Sequence, residues 1–126
     1  MSKIMDTLKK LAVLDKEAAD FGFKWDTTDQ IVAQIQSEIA EIDVHLKDGD
    51  QKKLQEEIGD LLHAVFSLCL FCQFSPEETL EKSINKFERR FRMIQRLAIE
   101  KGLHTLNGLS FKELMAFWDQ AKQLTD

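Results

Sequence analysis

Proline occurs once and glycine five times in 126 residues, and no stretch is of low complexity, which leaves no room for a flexible linker or a disordered tail. Cysteine occurs twice, as the lone CxxC of Cys69 and Cys72. A zinc site needs more ligands than that, and no strand–helix context suits a thioredoxin-like role, so both are read as packed core thiols. The three histidines, His45, His63 and His104, meet no serine or cysteine nucleophile in a triad-like arrangement. A glycine-rich phosphate loop, a Walker lysine and a dinucleotide fingerprint are all missing, so any bound nucleotide is held by side chains and metal. The most apolar run, Leu61 to Phe74, is broken by His63, Ser67 and Gln73 and is too short to span a bilayer. The N-terminus carries charges throughout and reads as neither signal peptide nor membrane span, which makes the cytoplasm the expected location. A net charge of −5 gives no general reason to expect nucleic acid or an anionic membrane as partner.

Hydrophobic residues make up 44% and charged residues 31%, the balance of an ordinary globular chain long enough to bury a core as one domain, residues 1–126. The pattern is all-α, with five helices and no convincing strand. Ile4, Leu8, Leu11 and Ala18 or Ala19 give the first an approximate stripe. Thr27 with Gln30 makes a capping box for the second, whose stripe is Ile31, Ile35, Ile39, Ile42 and Leu46. Gly49 ends it and Asp50 caps the third, which is amphipathic through Leu54, Ile58, Leu61 and Leu62 and then apolar nearly all round, as a central buried element would be. Ser75 and Pro76 open the fourth, with Leu80, Ile84, Phe87, Phe91 and Ile94. Ser110 with Glu113 caps the last, which bears Phe111, Leu114, Met115, Trp118 and Ala121. A helix bundle with a central antiparallel core built around helices two to four is expected.

The acidic residues carry the chemistry. Glu41 lies 8 residues before Gly49 and Glu57 lies 8 after it, while Glu38 lies 11 before and Asp60 lies 11 after. If Gly49 is a turn between antiparallel helices, a rise of about 1.5 Å per residue brings the pairs to the same height. The members of each pair are three apart and share a helix face. Four carboxylates then converge across a gap of about 8–10 Å, next to core positions Ile39, Ile42, Ile58 and Leu61, where charge is costly unless paired or metal-bound. All-oxygen ligands suit Mg²⁺ or Mn²⁺, either as one ion with neighbouring carboxylates or as two ions clamping a phosphate chain. The same counting about Ser75 sets Arg90, with Lys86 one turn before it, near the height of the acids, where cations would hold phosphate oxygens. Arg89, Arg92 and Arg96 are expected to point to solvent or to make i,i+4 pairs such as Arg92 with Glu88. His63, one turn beyond Asp60, is a candidate ligand or base and more simply a core-edge histidine. Trp25 and Trp118 are packing residues, either of which could stack on a base.

At this level of detail the chain resembles the MazG family of nucleoside triphosphate pyrophosphohydrolases, in particular the C-terminal domain of its two-domain members. The similarity rests on Glu38-Ile39-Ala40-Glu41, a gap of 15 residues, then Glu57-Ile58-Gly59-Asp60. It is extended by Gly22-Phe23-Lys24-Trp25, by Asn85-Lys86-Phe87-Glu88-Arg89-Arg90-Phe91, by Lys101-Gly102-Leu103 and by Trp118, over roughly residues 20–124. The resemblance implies Mg²⁺-dependent hydrolysis of a nucleoside triphosphate to monophosphate and pyrophosphate. It implies metal ligation by Glu38, Glu41, Glu57 and Asp60, phosphate contacts from Lys86 and Arg90, and Trp118 near the nucleotide. A homodimer or higher homo-oligomer follows from the same likeness. Glu38 or Glu41 could serve as the base. Ser37 stands where the family usually has a further glutamate, and Gln34 where it often has a lysine. Two competing readings accompany it: a narrower enzyme acting on a pyrimidine deoxynucleotide or phosphoribosyl-ATP, and a degenerate, non-catalytic module binding nucleotide or protein.

Overall fold

A computed structural model describes residues 2–126. It contains five helices, α1 (Lys3–Phe21), α2 (Thr28–Asp48), α3 (Gln51–Phe71), α4 (Pro76–Glu100) and α5 (Phe111–Thr125), and no strand among the described residues. The all-α expectation holds. Residues up to Thr79 form one compact unit and Leu80–Asp126 a second, with α4 starting at the end of the first and running through the second.

Local chemistry sets the boundaries. The Thr27 hydroxyl accepts from the Gln30 N–H while the Gln30 side chain accepts from the Thr27 N–H, closing the expected capping box of α2. Gly49 ends α2 with φ 76°, a left-handed conformation that costs a side-chain-bearing residue about 1–2 kcal/mol. The Asp50 carboxylate then caps α3 by accepting from the Lys53 N–H at 3.1 Å. With only these two residues between them, α2 and α3 fold back as an antiparallel pair. The Ser75 hydroxyl accepts from the Glu78 N–H, and Pro76 occupies the first position of α4, where its missing N–H costs nothing. Ser110 and Glu113 make the second capping box, on α5.

Burial departs from the apolar pattern in the first unit. The stripe of α2 was expected to include Ile39 and Leu46, but these are 52% and 63% exposed. The buried residues of α2 are Ile31, Glu38 and His45, which recur at seven-residue intervals and so share one stripe. Likewise the second half of α3 is not a buried rod. Only Ala64 and Ser67 are buried, while Leu62, Val65 and Phe71 are exposed and Cys72 is an exposed free thiol. The second unit behaves conventionally. Leu97, Ala98 and Phe117 are buried, and Met93, Ile94, Leu103, Leu106 and Leu109 pack against them.

Candidate metal centre

Glu38 projects from the buried face of α2, and Glu57 and Asp60 from the first half of α3. Antiparallel pairing about Gly49 brings them together: one carboxylate oxygen of each lies within 4.8 Å of the others. Glu38 is only 8% exposed. Its Oε1 accepts from the Gln34 Nε2 at 2.7 Å, whereas its Oε2 is buried without a hydrogen-bond partner. A buried carboxylate oxygen left unpaired costs about 1–3 kcal/mol, and more when charged. The consequence is visible in acidity. The neighbouring Glu57 carboxyl, then burial, then the negative charges of Glu57 and Asp60, raise the Glu38 pKa to about 7, against a smaller opposing effect of Gln34. Without a cation the cluster keeps a proton below about pH 7. The donor set is all oxygen, half-buried and two-sided, which fits a hard divalent ion that replaces that proton.

Of the four acids expected here, the structure gathers Glu38, Glu57 and Asp60 in this triad. Glu41 is exposed and meets a second group instead, with Glu57 and His45, again with ligand atoms within 4.8 Å of one another. His45 is the residue that the sequence reading passed over. Its place one turn after Glu41 and seven residues after Glu38 was the available signal. His63 is exposed and belongs to neither group, so the core-edge reading fails for it. Ser37 is exposed as well, while Gln34 orients Glu38.

In the second unit Arg90 is buried at 9% exposure, its Nη2 donating to Asp126 Oδ2 at 2.6 Å and its guanidinium carbon lying 5.2 Å from the Trp118 ring centre. Its Nε is buried without a partner. The hydrogen bond from Arg90 holds the Asp126 carboxyl below its ordinary pKa, and the charge of Lys86 adds to the effect. Phe87 lies against Trp118 with ring centres 6.1 Å apart. Arg90, Trp118 and the exposed Lys86, the three residues expected to contact substrate, therefore occupy one neighbourhood. Arg92 pairs with Glu88 at 3.7 Å, as anticipated. Among the described residues no single helix is long and apolar enough to cross a membrane.

Residues 26–94, more than half of the chain, match the MazG nucleotide pyrophosphohydrolase domain. The nucleoside triphosphate pyrophosphohydrolase of Escherichia coli K12 is 33% identical over 121 residues, covering 94% of this chain and 46% of that protein. The nucleoside triphosphate pyrophosphohydrolase/pyrophosphatase MazG of Thermotoga maritima is 30% identical over 123 residues, covering 97% of this chain and 46% of that protein. An uncharacterized protein of Bacillus subtilis is 34% identical over 73 residues, 58% of this chain and 15% of its own length. The chain thus spans about half the length of the curated relatives it matches most fully.

Proposed function

The chain belongs to the MazG nucleotide pyrophosphohydrolase family, and from that premise we propose that it hydrolyses a nucleoside triphosphate at the α–β anhydride, releasing monophosphate and pyrophosphate, with Mg²⁺ as cofactor and Mn²⁺ as substitute. The observation that carries this is the Glu38–Glu57–Asp60 cluster with its buried, unpartnered Glu38 Oε2. Glu38, Glu57 and Asp60 hold the ion, with Glu41 beside them through its approach to Glu57. When bound, the ion supplies positive charge to the phosphate oxygens as negative charge moves onto the leaving pyrophosphate. Gln34 fixes Glu38, so that the cluster is preorganised. Glu41 is the exposed member of the α2 pair and takes the proton from the attacking water. Lys86 and Arg90 bind phosphate oxygens, and Trp118 stacks near the base.

Residues 1–126 act as one domain in this proposal, in the cytoplasm, clearing unwanted nucleotides or controlling their pools. The working form is a homodimer or larger homo-oligomer, and neither nucleic acid nor membrane is a partner. The outward apolar side chains of α2 and α3 support self-association: Val32, Ile39 and Leu46 are exposed at seven-residue spacing on α2, and Ile58, Leu62 and Val65 on α3.

The test is product analysis with purified protein, Mg²⁺ and a panel of ribo- and deoxyribonucleoside triphosphates. Monophosphate plus pyrophosphate, abolished by chelation, is the expected result; diphosphate plus phosphate refutes the bond assignment. Metal-dependent binding without product would instead support the non-catalytic module that Ser37 and Gln34 favour. Turnover confined to a pyrimidine deoxynucleotide or to phosphoribosyl-ATP would support the narrow-substrate reading.

A further inference from the structure

Among the described residues of Leu80–Asp126, Arg90 is the one charged side chain that is buried. A guanidinium carries five N–H donors, and each donor held out of water without an acceptor is costly. Arg90 Nε is buried with no acceptor at all. The guanidinium carbon lies 5.2 Å from the Trp118 ring centre, which favours the charge without supplying an acceptor oxygen. That oxygen comes from Asp126, whose Oδ2 accepts from Nη2 at 2.6 Å. A single N–H···O bond joins the two groups, where a guanidinium and an oxyanion can form two.

The partners are not equally fixed. Arg90 is buried in the middle of α4, whereas the Asp126 side chain is 48% exposed and follows the last turn of α5. Its own N–H donates to the Lys122 carbonyl at 3.1 Å, and the carboxylate beyond that bond can turn into water. Once it does, Arg90 is left needing another anion. The surroundings favour one. Lys86 lies one turn before Arg90 on α4, and Lys122 one turn before Asp126 on α5. The hydrogen bond and charge of Arg90, then the charges of Lys86 and Lys122, hold the Asp126 carboxyl below its ordinary pKa against the opposing effect of burial. Three cations thus act on one carboxylate, and an excess of positive charge remains. A phosphate group has more charge and more acceptor oxygens than a carboxylate, so it can take two donors of Arg90 and still reach a lysine.

We propose that the Asp126 carboxylate is an internal anion that occupies Arg90 until a polyphosphate displaces it. This deepens the proposed function and rests on its assignment of Arg90 and Lys86 to phosphate oxygens. In this role Asp126 keeps a buried cation satisfied between ligands and raises the polyphosphate concentration needed to engage it.

The experiment is calorimetric titration of the full chain with inorganic pyrophosphate in chelator, so that neither metal nor turnover takes part. Asp126→Asn keeps an acceptor for Arg90 Nη2 and removes the competing charge. It is expected to bind pyrophosphate about three- to tenfold more tightly than the unsubstituted chain, the size of one partly exposed charged contact. Asp119→Asn removes the same charge from α5 at an exposed position and should change affinity less than about twofold, which separates displacement from general repulsion. In an Arg90→Gln background the gain from Asp126→Asn should vanish. Undiminished affinity in folded Arg90→Gln would break the phosphate assignment itself, and absence of binding to every protein would overturn both readings. Arg90-dependent binding that is unchanged or weaker in Asp126→Asn would overturn this proposal alone and make Asp126 a support for Arg90. An equal gain in Asp119→Asn would do the same to the displacement.

Discussion

In the C-terminal unit, α4 and α5 meet through Leu97, Ala98 and Phe117, and the charged residues stay at the rim except for Arg90, which is paired with Asp126. In the α2–α3 pair the arrangement is turned over. The seam takes Glu38, His45 and Glu57, while Ile39, Leu46 and Leu62 face outward. The first arrangement is what burial of apolar area alone would select. The second gives up that stabilisation at the seam to hold charges close together, a cost that protonation of Glu38 relieves in part. A cation can compensate the inward charge, and a second copy of the chain can cover the outward apolar stripe.

The contrast can be broken from either side. Phe117→Ala should remove an ordinary core contact and lower stability by about 3–5 kcal/mol in urea melts, with or without divalent metal. Asp60→Asn touches only the polar seam. It should reduce kcat/KM by about 10²–10³-fold, the size of one lost preorganised electrostatic contact, while helical content is retained because Asp60 is exposed. Unchanged turnover would separate the cluster from the chemistry. Ile39→Asp tests the outward stripe. Its loss should weaken self-association by about 1.5–3 kcal/mol, seen as a concentration-dependent shift to monomer in sedimentation, without exposing the seam. An unchanged oligomer would show that this stripe is not the contact.

Acidity sharpens the comparison further. The folded chain binds the Glu38 proton more tightly than the unfolded chain does, with a pKa of about 7 against 4.5. This contribution to stability is fully present below about pH 4.5 and is lost as the pH rises through 7. Metal-free protein should therefore show a falling Tm across that window, and saturating Mg²⁺ should restore most of the loss at pH 8 by taking the proton's place. A Tm that rises over the same window in chelator would contradict the carboxyl pair. The smallest effect is expected at the turn after α3, where Gln73 adopts φ 66° without being glycine. Gln73→Gly should gain a few tenths to about 1 kcal/mol in stability, since relief of left-handed strain is partly offset by the freer unfolded chain.

Much of this was legible from local chemistry. The capping pairs Thr27/Gln30 and Ser110/Glu113, the turn at Gly49 and the start at Ser75-Pro76 all act within a few residues, so their consequences can be read along the chain. The equal heights of Glu38/Glu41 and Glu57/Asp60 follow from the same arithmetic, because helical rise is fixed once the turn is placed. The face that α2 turns toward α3 is not a local property. It depends on whether desolvating Glu38 and His45 is outweighed by contacts available only once the partner helix and its own acids are in place, and the apolar stripe pointed to the other answer. For the same reason only the tertiary structure separated Glu41 from the triad and paired it with His45, and set Arg90 against Asp126 and Trp118. Rise, turn and cap are backbone quantities that sequence determines by itself; which charges share a space is decided where distant segments meet.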